Sequence, residues 1–180
     1  YSEKHWQSFF EKNDWIFGYG LKYKFLSILQ REAQLSQSEI DGTNAVISDF
    51  LLSDTRFTKI VELKKPITPL FNFKKNRSDS WQLSNELTHS VSQILAQKAN
   101  WELTSKNKRN YGPNGEVIKE VSHDVECILI IGRLSNIQGT EKEKAIKLKT
   151  LELYRRNLRN IEILFYDELY KRVCFIVEGS

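Results

Sequence analysis

The sequence predicts an α/β protein: a mixed β-sheet flanked by helices. Three observations carry this. The run Val125 to Ile131 is apolar apart from Glu126, the pattern of a strand buried on both faces. Leu87, Val91, Ile94 and Leu95 form a stripe at helical spacing. The order of patterns is β-hairpin, helix, strand, helix, strand, helix, which sets helices against a mixed sheet. The 180 residues fit one domain with a core of its own.

Element by element, Ser2 to Lys12 carries Trp6, Phe9 and Phe10 at helical spacing and predicts a short helix lying on the core. Asn13-Asp14 stops it, and Trp15 to Gly18 is an apolar entry into the next element. The second half of Leu21 to Leu35 reads as a strand, and Asp41-Gly42 as a turn. Ala45 to Leu52 and Phe57 to Lys64 are β-rich runs separated by four polar residues, the signature of an antiparallel hairpin. Pro66 and Pro69 end the second strand because proline cannot donate to a ladder. Leu70 to Trp81 reads as a loop. Ser84 is an N-cap, with Glu86 in the first turn, for a helix through about Asn100. Thr104 to His123 is polar, turning at Pro113-Asn114-Gly115. After the buried strand come a charged helix from about Thr140 to Leu158, a strand from Ile161 to Phe165 and a last helix starting near Asp167.

Composition narrows the function classes. The chain is 40% hydrophobic and 28% charged, with 8 Gly, 3 Pro and no fixed repeat, which excludes disordered, collagen-like and coiled-coil readings. No apolar run reaches the roughly 20 residues needed to span a bilayer, and no signal peptide is seen. Methionine is absent, which predicts an excerpt of a longer protein lacking its N-terminal region. Cys127 and Cys174 sit in apolar runs with no CxxC and no Cys/His cluster, predicting small buried hydrophobes in a reducing, cytoplasmic setting. His5, His89 and His123 lack metal-ligand spacing and receive no role. Without G-x-S-x-G, P-loop or GxGxxG there is no support for acyl transfer or a nucleotide cofactor.

Glu62-Leu63-Lys64 is the chemically specific stretch. Residues two apart in a strand share a face, so Glu62 and Lys64 project together. A tight hairpin allows a register with Asp49 directly opposite Glu62, their Cβ atoms ~4.5–5.5 Å apart. Two carboxylates at that spacing suit one hard divalent cation such as Mg²⁺. An acid-x-Lys triplet arises by chance in a chain this charged, so the context of two strands and a following polar helix face carries the reading. That face holds Glu86, Ser90, Gln93 and Gln97, apart from the apolar stripe.

A basic stretch follows. From Lys64 to Arg77 there are Lys64, Lys65, Lys74, Lys75 and Arg77 and no acid, interleaved with Phe71 and Phe73, and Trp81 lies just beyond. Such a segment suits phosphates, and Lys106, Lys108 and Arg109 form a second patch. The net charge of +4 permits a nucleic-acid partner without requiring one. The helix bearing Glu141, Lys142, Glu143, Lys144, Lys147, Arg155 and Arg156 is mixed in sign and needs no ligand.

Asp49 with Glu62-Leu63-Lys64 resembles the PD-(D/E)XK nuclease signature, Ser48 standing where its proline often is. The whole chain resembles the C-terminal nuclease domain of the Shedu antiphage defence family. The similar stretches are Phe10 to Gly18, Val61 to Pro66, Ser84 to Leu87 leading to Gln93-Ile94, and Tyr166 to Leu169, in the family's order. The resemblance implies a restriction-endonuclease-like fold and a single PD-(D/E)XK-like domain over residues 1–180. It implies Mg²⁺-dependent cleavage of DNA, with Mn²⁺ as a substitute, and an N-terminal sensing region in the parent protein; a homo-oligomer is also expected. It makes Asp49 and Glu62 metal ligands, with Leu63 contributing its carbonyl, Lys64 the catalytic lysine and Gln93 the polar residue offered by the following helix. An additional upstream acid would be Glu3, Glu11 or Glu32. Two rival readings stand beside it: a catalytically silent nucleic-acid-binding or assembly module, and a repair or junction nuclease of the same superfamily.

Overall fold

The computed structural model describes residues 1–18, 27–34, 47–53, 57–107, 110–111, 117–118 and 121–178. The turns expected at Asp41-Gly42 and Pro113-Asn114-Gly115 lie outside them, as do Lys108 and Arg109.

The centre is a five-stranded sheet built from β1 (Ser27–Gln34), β2 (Ile47–Ser53), β3 (Phe57–Leu63), β8 (Val121–Ile130) and β9 (Ile161–Leu164), in the order β1-β2-β3-β8-β9. β1, β2 and β3 are antiparallel neighbours, whereas β8 runs parallel to both β3 and β9. The mixed α/β architecture expected from the pattern is therefore the one observed. Parallel neighbours need crossover connections. The helix α3 (Asn85–Asn107) lies in the first crossover and α4 (Glu141–Arg156) in the second.

The period of two along each strand separates two cores. Leu51, Ile60, Cys127, Leu129 and Ile163 face α3 and α4, packing with Leu87, Val91, Ile94, Trp101 and Leu151. Phe50, Leu52, Val61, Leu63, Ile128 and Ile130 face the other way, against Phe10 of α1 (Glu3–Lys12), Ile16 and Phe17 of α2 (Trp15–Gly18), and Tyr166 and Leu169 of α5 (Tyr166–Glu178). β8 buries side chains on both faces, as its unbroken apolar run predicts. Cys127 lies in that core, and burial pushes its thiol up to about 12. Among the described residues no helix is long and apolar enough to cross a membrane.

Three elements depart from the sequence expectation. The segment read as a loop forms a hairpin, β4 (Phe71–Lys75) with β5 (Trp81–Leu83). Tertiary contacts create it. Trp81 donates its indole N–H to the Asn72 carbonyl at 2.7 Å, its backbone N–H to Thr150 Oγ1 at 3.1 Å, and lies under the Lys147 ammonium. The helix α3 starts as expected, with Ser84 Oγ accepting from the Leu87 N–H, but extends to Asn107. The extra turns are tied down by Trp101, buried and bonded to Thr58, and by Glu102, which accepts from the Val125 N–H. β8 begins at Val121, inside the stretch read as polar connection, and a two-residue pair, β6 (Asn110–Tyr111) with β7 (Val117–Ile118), precedes it. Within the predicted stripes, Leu95 and Phe9 are exposed rather than core. Thr140 and Glu143 form a reciprocal capping box at the start of α4.

Gly132, just after β8, has a positive φ of 58°, and a Cβ there would lie 2.8 Å from both Leu70 Cδ2 and the Thr68 carbonyl. Glycine lets this strand end meet the chain leaving β3: its N–H donates to the Lys65 carbonyl and its own carbonyl accepts from the Tyr166 N–H.

Candidate active site

The site forms where the C-terminal end of β3 meets the start of β2, under the middle of α3. The β2–β3 ladder pairs Phe50 with Val61 and Leu51 with Ile60. Its continuation by one residue sets Asp49 opposite Glu62, the register expected from the sequence. Asp49 and Leu51 share a face, as do Ile60, Glu62 and Lys64, and Leu51 and Ile60 pack toward α3. Both carboxylates therefore look toward that helix.

Glu62 is only 4% exposed. A buried carboxylate is costly unless charged or polar donors surround it. Here three do. Lys64 Nζ donates to Glu62 Oε1 at 2.7 Å, Gln93 Nε2 donates to the same oxygen at 2.8 Å, and Gln97 Nε2 donates to Oε2 at 2.8 Å. Lys64 Nζ also donates to Gln93 Oε1 at 3.1 Å, closing a ring of lysine, glutamate and glutamine. The spacing of Gln93 and Gln97 explains their joint arrival: residues four apart lie one above the other on a helix.

Asp49 Oδ2 accepts from the Leu63 N–H at 2.7 Å. Burial, then the neighbouring Glu62 carboxylate, push the Asp49 carboxyl up to about 6, while the Leu63 N–H and the Lys64 ammonium pull the other way. The Glu3 carboxylate adds a further upward push. Glu3, one of the three upstream acids proposed from the sequence, thus acts on the site through its charge. The Glu32 side chain lies outside the described residues.

The lysine's backbone is held from two sides. Its N–H donates to the Ile130 carbonyl at 2.8 Å, extending the parallel ladder, and its carbonyl accepts from the Tyr166 hydroxyl at 2.8 Å. Burial raises the Tyr166 phenol, with the Glu3 and Asp49 carboxylates adding to the rise. The residues after Tyr166 are structural too. Asp167 accepts from the N–H groups of Leu134 and Ser135, and Glu168 pairs with Arg155.

The predicted phosphate-binding residues divide. Lys65 is exposed beside the site, and Lys74, Lys75 and Arg77 are exposed on the β4–β5 hairpin, with Lys75 Nζ 3.2 Å from Asp79. The Lys106 side chain, like Lys108 and Arg109, is outside the described residues. Of the three interleaved aromatics, Phe71 packs on the core and Trp81 is buried, while Phe73 is fully exposed. Gln97 and Tyr166 join the site without a role assigned to them by the sequence motif. The i, i+4 relation to Gln93 was the available signal for Gln97.

The donor set at Asp49 and Glu62 is all oxygen, and two facing carboxylates, with Glu62 raising the cost of ionising Asp49, suit a hard cation. Among the described residues no group of three His, Cys, Asp or Glu side chains converges on a common point.

Comparison with known proteins reaches the same region. The family described as Shedu protein SduA, C-terminal, matches residues 1–170. The chain belongs to this family. The Shedu protein SduA of Bacillus cereus (strain B4264) is 27% identical over 182 residues, covering 98% of this chain and 46% of that protein. The Shedu chain described here thus spans about half the length of the curated relative it matches.

Proposed function

We propose that this Shedu domain is a Mg²⁺-dependent DNA endonuclease acting in antiphage defence. The observation carrying the reading is the Asp49–Glu62–Lys64–Gln93 constellation, with Asp49 driven up to about 6 beside a buried Glu62. Facing carboxylates cost stability when no counter-charge lies between them, and perturbed groups of this kind gather at functional sites. Family membership and the SduA relative support it further.

Asp49 and Glu62, with the Leu63 carbonyl, would hold the cation. When bound, a divalent cation polarises a phosphate and lowers the pKa of a water. The chain's own residues supply the rest. Lys64, a compact ammonium held at the rim by Glu62 and Gln93, meets negative charge building on the scissile phosphate. Gln93 presents an amide at the same rim and orients the lysine. Gln97 and Tyr166 hold Glu62 and the Lys64 backbone in place. Lys65, Lys74, Lys75 and Arg77 keep the DNA backbone near. A homo-oligomer is part of the proposal, and the mass of the full-length protein in solution checks it.

The test is plasmid cleavage with and without Mg²⁺, comparing the isolated domain and the full-length protein. Asp49→Ala should abolish cleavage while leaving DNA affinity largely intact. One observation favours the rival reading of a binding module: both Glu62 oxygens accept hydrogen bonds from the chain's own Lys64, Gln93 and Gln97 side chains. A protein that binds DNA but shows no Mg²⁺-dependent cutting in either form would select that reading.

A further inference from the structure

The β4–β5 hairpin carries an aromatic ring that the fold does not use. Phe73 is 103% exposed, whereas Phe71 and Trp81 of the same hairpin are packed against the body. A lone exposed hydrophobe needs no explanation by itself. Three further features set Phe73 apart.

First, the ladder is irregular at this point. Phe71 pairs with Leu83 and Lys75 with Trp81, so the strand bearing Phe73 holds extra residues between the pairs. Such a bulge turns a side chain out of the regular pleat, and bulges recur next to active sites. Second, the ring stands on a fixed base. Trp81 donates to the Asn72 carbonyl at 2.7 Å, the Ser84 N–H donates to the Leu70 carbonyl at 3.0 Å, and the Asn76 N–H donates to the Ser80 carbonyl at 2.9 Å across the tip. Third, Lys74, Lys75 and Arg77 follow it directly, and the chain carries no acid from Lys64 to Arg77. A polyanion is the partner that this charge selects.

Within a DNA path, phosphates meet the cations, and the surface left for an aromatic ring is the face of a base. We propose that Phe73 stacks on an unpaired base of the bound DNA, making the hairpin a reader of unstacked nucleotides. The inference rests on DNA being the partner and adds the class of DNA preferred. Stacking of a base on an aromatic side chain tolerates any sequence and disappears on truncation to alanine.

The experiment uses the full-length protein with Phe73→Ala and Phe73→Trp. Binding is measured in EDTA to three labelled DNAs: a single strand, a duplex with one central unpaired nucleotide, and the perfect duplex. Phe73→Ala should weaken the first two by about tenfold, the size expected for one base stack, and the perfect duplex by less than twofold. The salt slope should not move, because the cations that meet the phosphates are all still present. Phe73→Trp should bind like the parent, with its indole fluorescence quenched by the single strand. Parent-like binding of Phe73→Ala to all three DNAs overturns the inference. An equal drop on all three also overturns it, in favour of a wedge between paired bases. A change in oligomeric mass would assign Phe73 to a protein contact instead. Because binding is read without divalent cation, a protein that never cuts but loses single-strand affinity keeps this inference and loses the nuclease reading. A protein that cuts while Phe73→Ala binds normally does the reverse.

Discussion

Lys64 and the cluster Lys74, Lys75 and Arg77 carry the same charge in opposite settings. The Lys64 ammonium is bonded to Glu62 at 2.7 Å and Gln93 at 3.1 Å, and its backbone is bonded to Ile130 and Tyr166. The hairpin cations stand in solvent, where Lys75 pairs with the still more exposed Asp79. The difference teaches which properties are geometric and which are merely electrostatic. A charge locked between two fixed acceptors acts through its position, so its shape matters. A charge in water acts through its count.

The sharpest way to break the contrast is Lys64→Arg. The charge stays, but a planar guanidinium cannot occupy the ammonium's place between Glu62 and Gln93. Displacement of about 1 Å can cost ~10²-fold in rate, so cleavage should fall by about that factor in a Mg²⁺ assay while DNA affinity stays within twofold. Parental cleavage would place Lys64 with the hairpin cations as an ordinary anchor.

The converse variant replaces Lys74, Lys75 and Arg77 together with Ala. Binding should weaken on every DNA sequence, and the log–log salt slope should become shallower by up to ~0.9 for each phosphate no longer neutralised. Thermal stability should stay the same, since exposed ion pairs contribute little. An unchanged slope in a filter-binding or anisotropy titration would show the hairpin to be only solvated.

Gln97→Ala probes the buried side of the comparison. It removes one of the three donors to Glu62 and leaves Oε2 short of a partner, at a cost of about 1–3 kcal/mol in a urea melt. Gln93→Ala, at the exposed rim, should cost well under half of that while lowering cleavage more. Equal effects would mean that rim and interior are not distinct.

The smallest expected effect is a pH dependence. The folded Asp49 carboxyl titrates near 6 against an ordinary 3.8, so the folded state holds its proton more tightly. Stability from this group is therefore full below about pH 4 and lost as pH rises to about 6. Asp49→Asn removes that loss. Without divalent cation, the variant should gain melting temperature relative to the parent at pH 8 and gain none at pH 4. Added Mg²⁺ should stabilise the parent at pH 8 and leave Asp49→Asn unmoved. A variant that is less stable at both pH values would show the Leu63 N–H bond, not the carboxylate pair, to dominate.

Much of this molecule follows from local pattern. The unbroken apolar run of β8, the stripe of Leu87, Val91 and Ile94, the Ser84 cap and the alternation through Glu62 and Lys64 are read directly, because burial and backbone geometry impose their periods on neighbouring residues. Even the facing of Asp49 and Glu62 follows once a tight hairpin is assumed. Other features depend on residues far apart in the chain. The β4–β5 hairpin exists because Trp81 meets Thr150 and Lys147 on α4, and Phe73 stands out because the ladder there is irregular. Gln97 reaches Glu62 across 35 positions, and Tyr166 reaches the Lys64 carbonyl across 102. Glu3 acts on the Asp49 carboxyl through space, across a separation in the chain that no local pattern reveals. Local pattern is enough for the mixed sheet, its flanking helices and the residue types of the site. Which donors close around Glu62 follows only from the folded packing, because a hydrogen bond depends on distance in space and no local period encodes it.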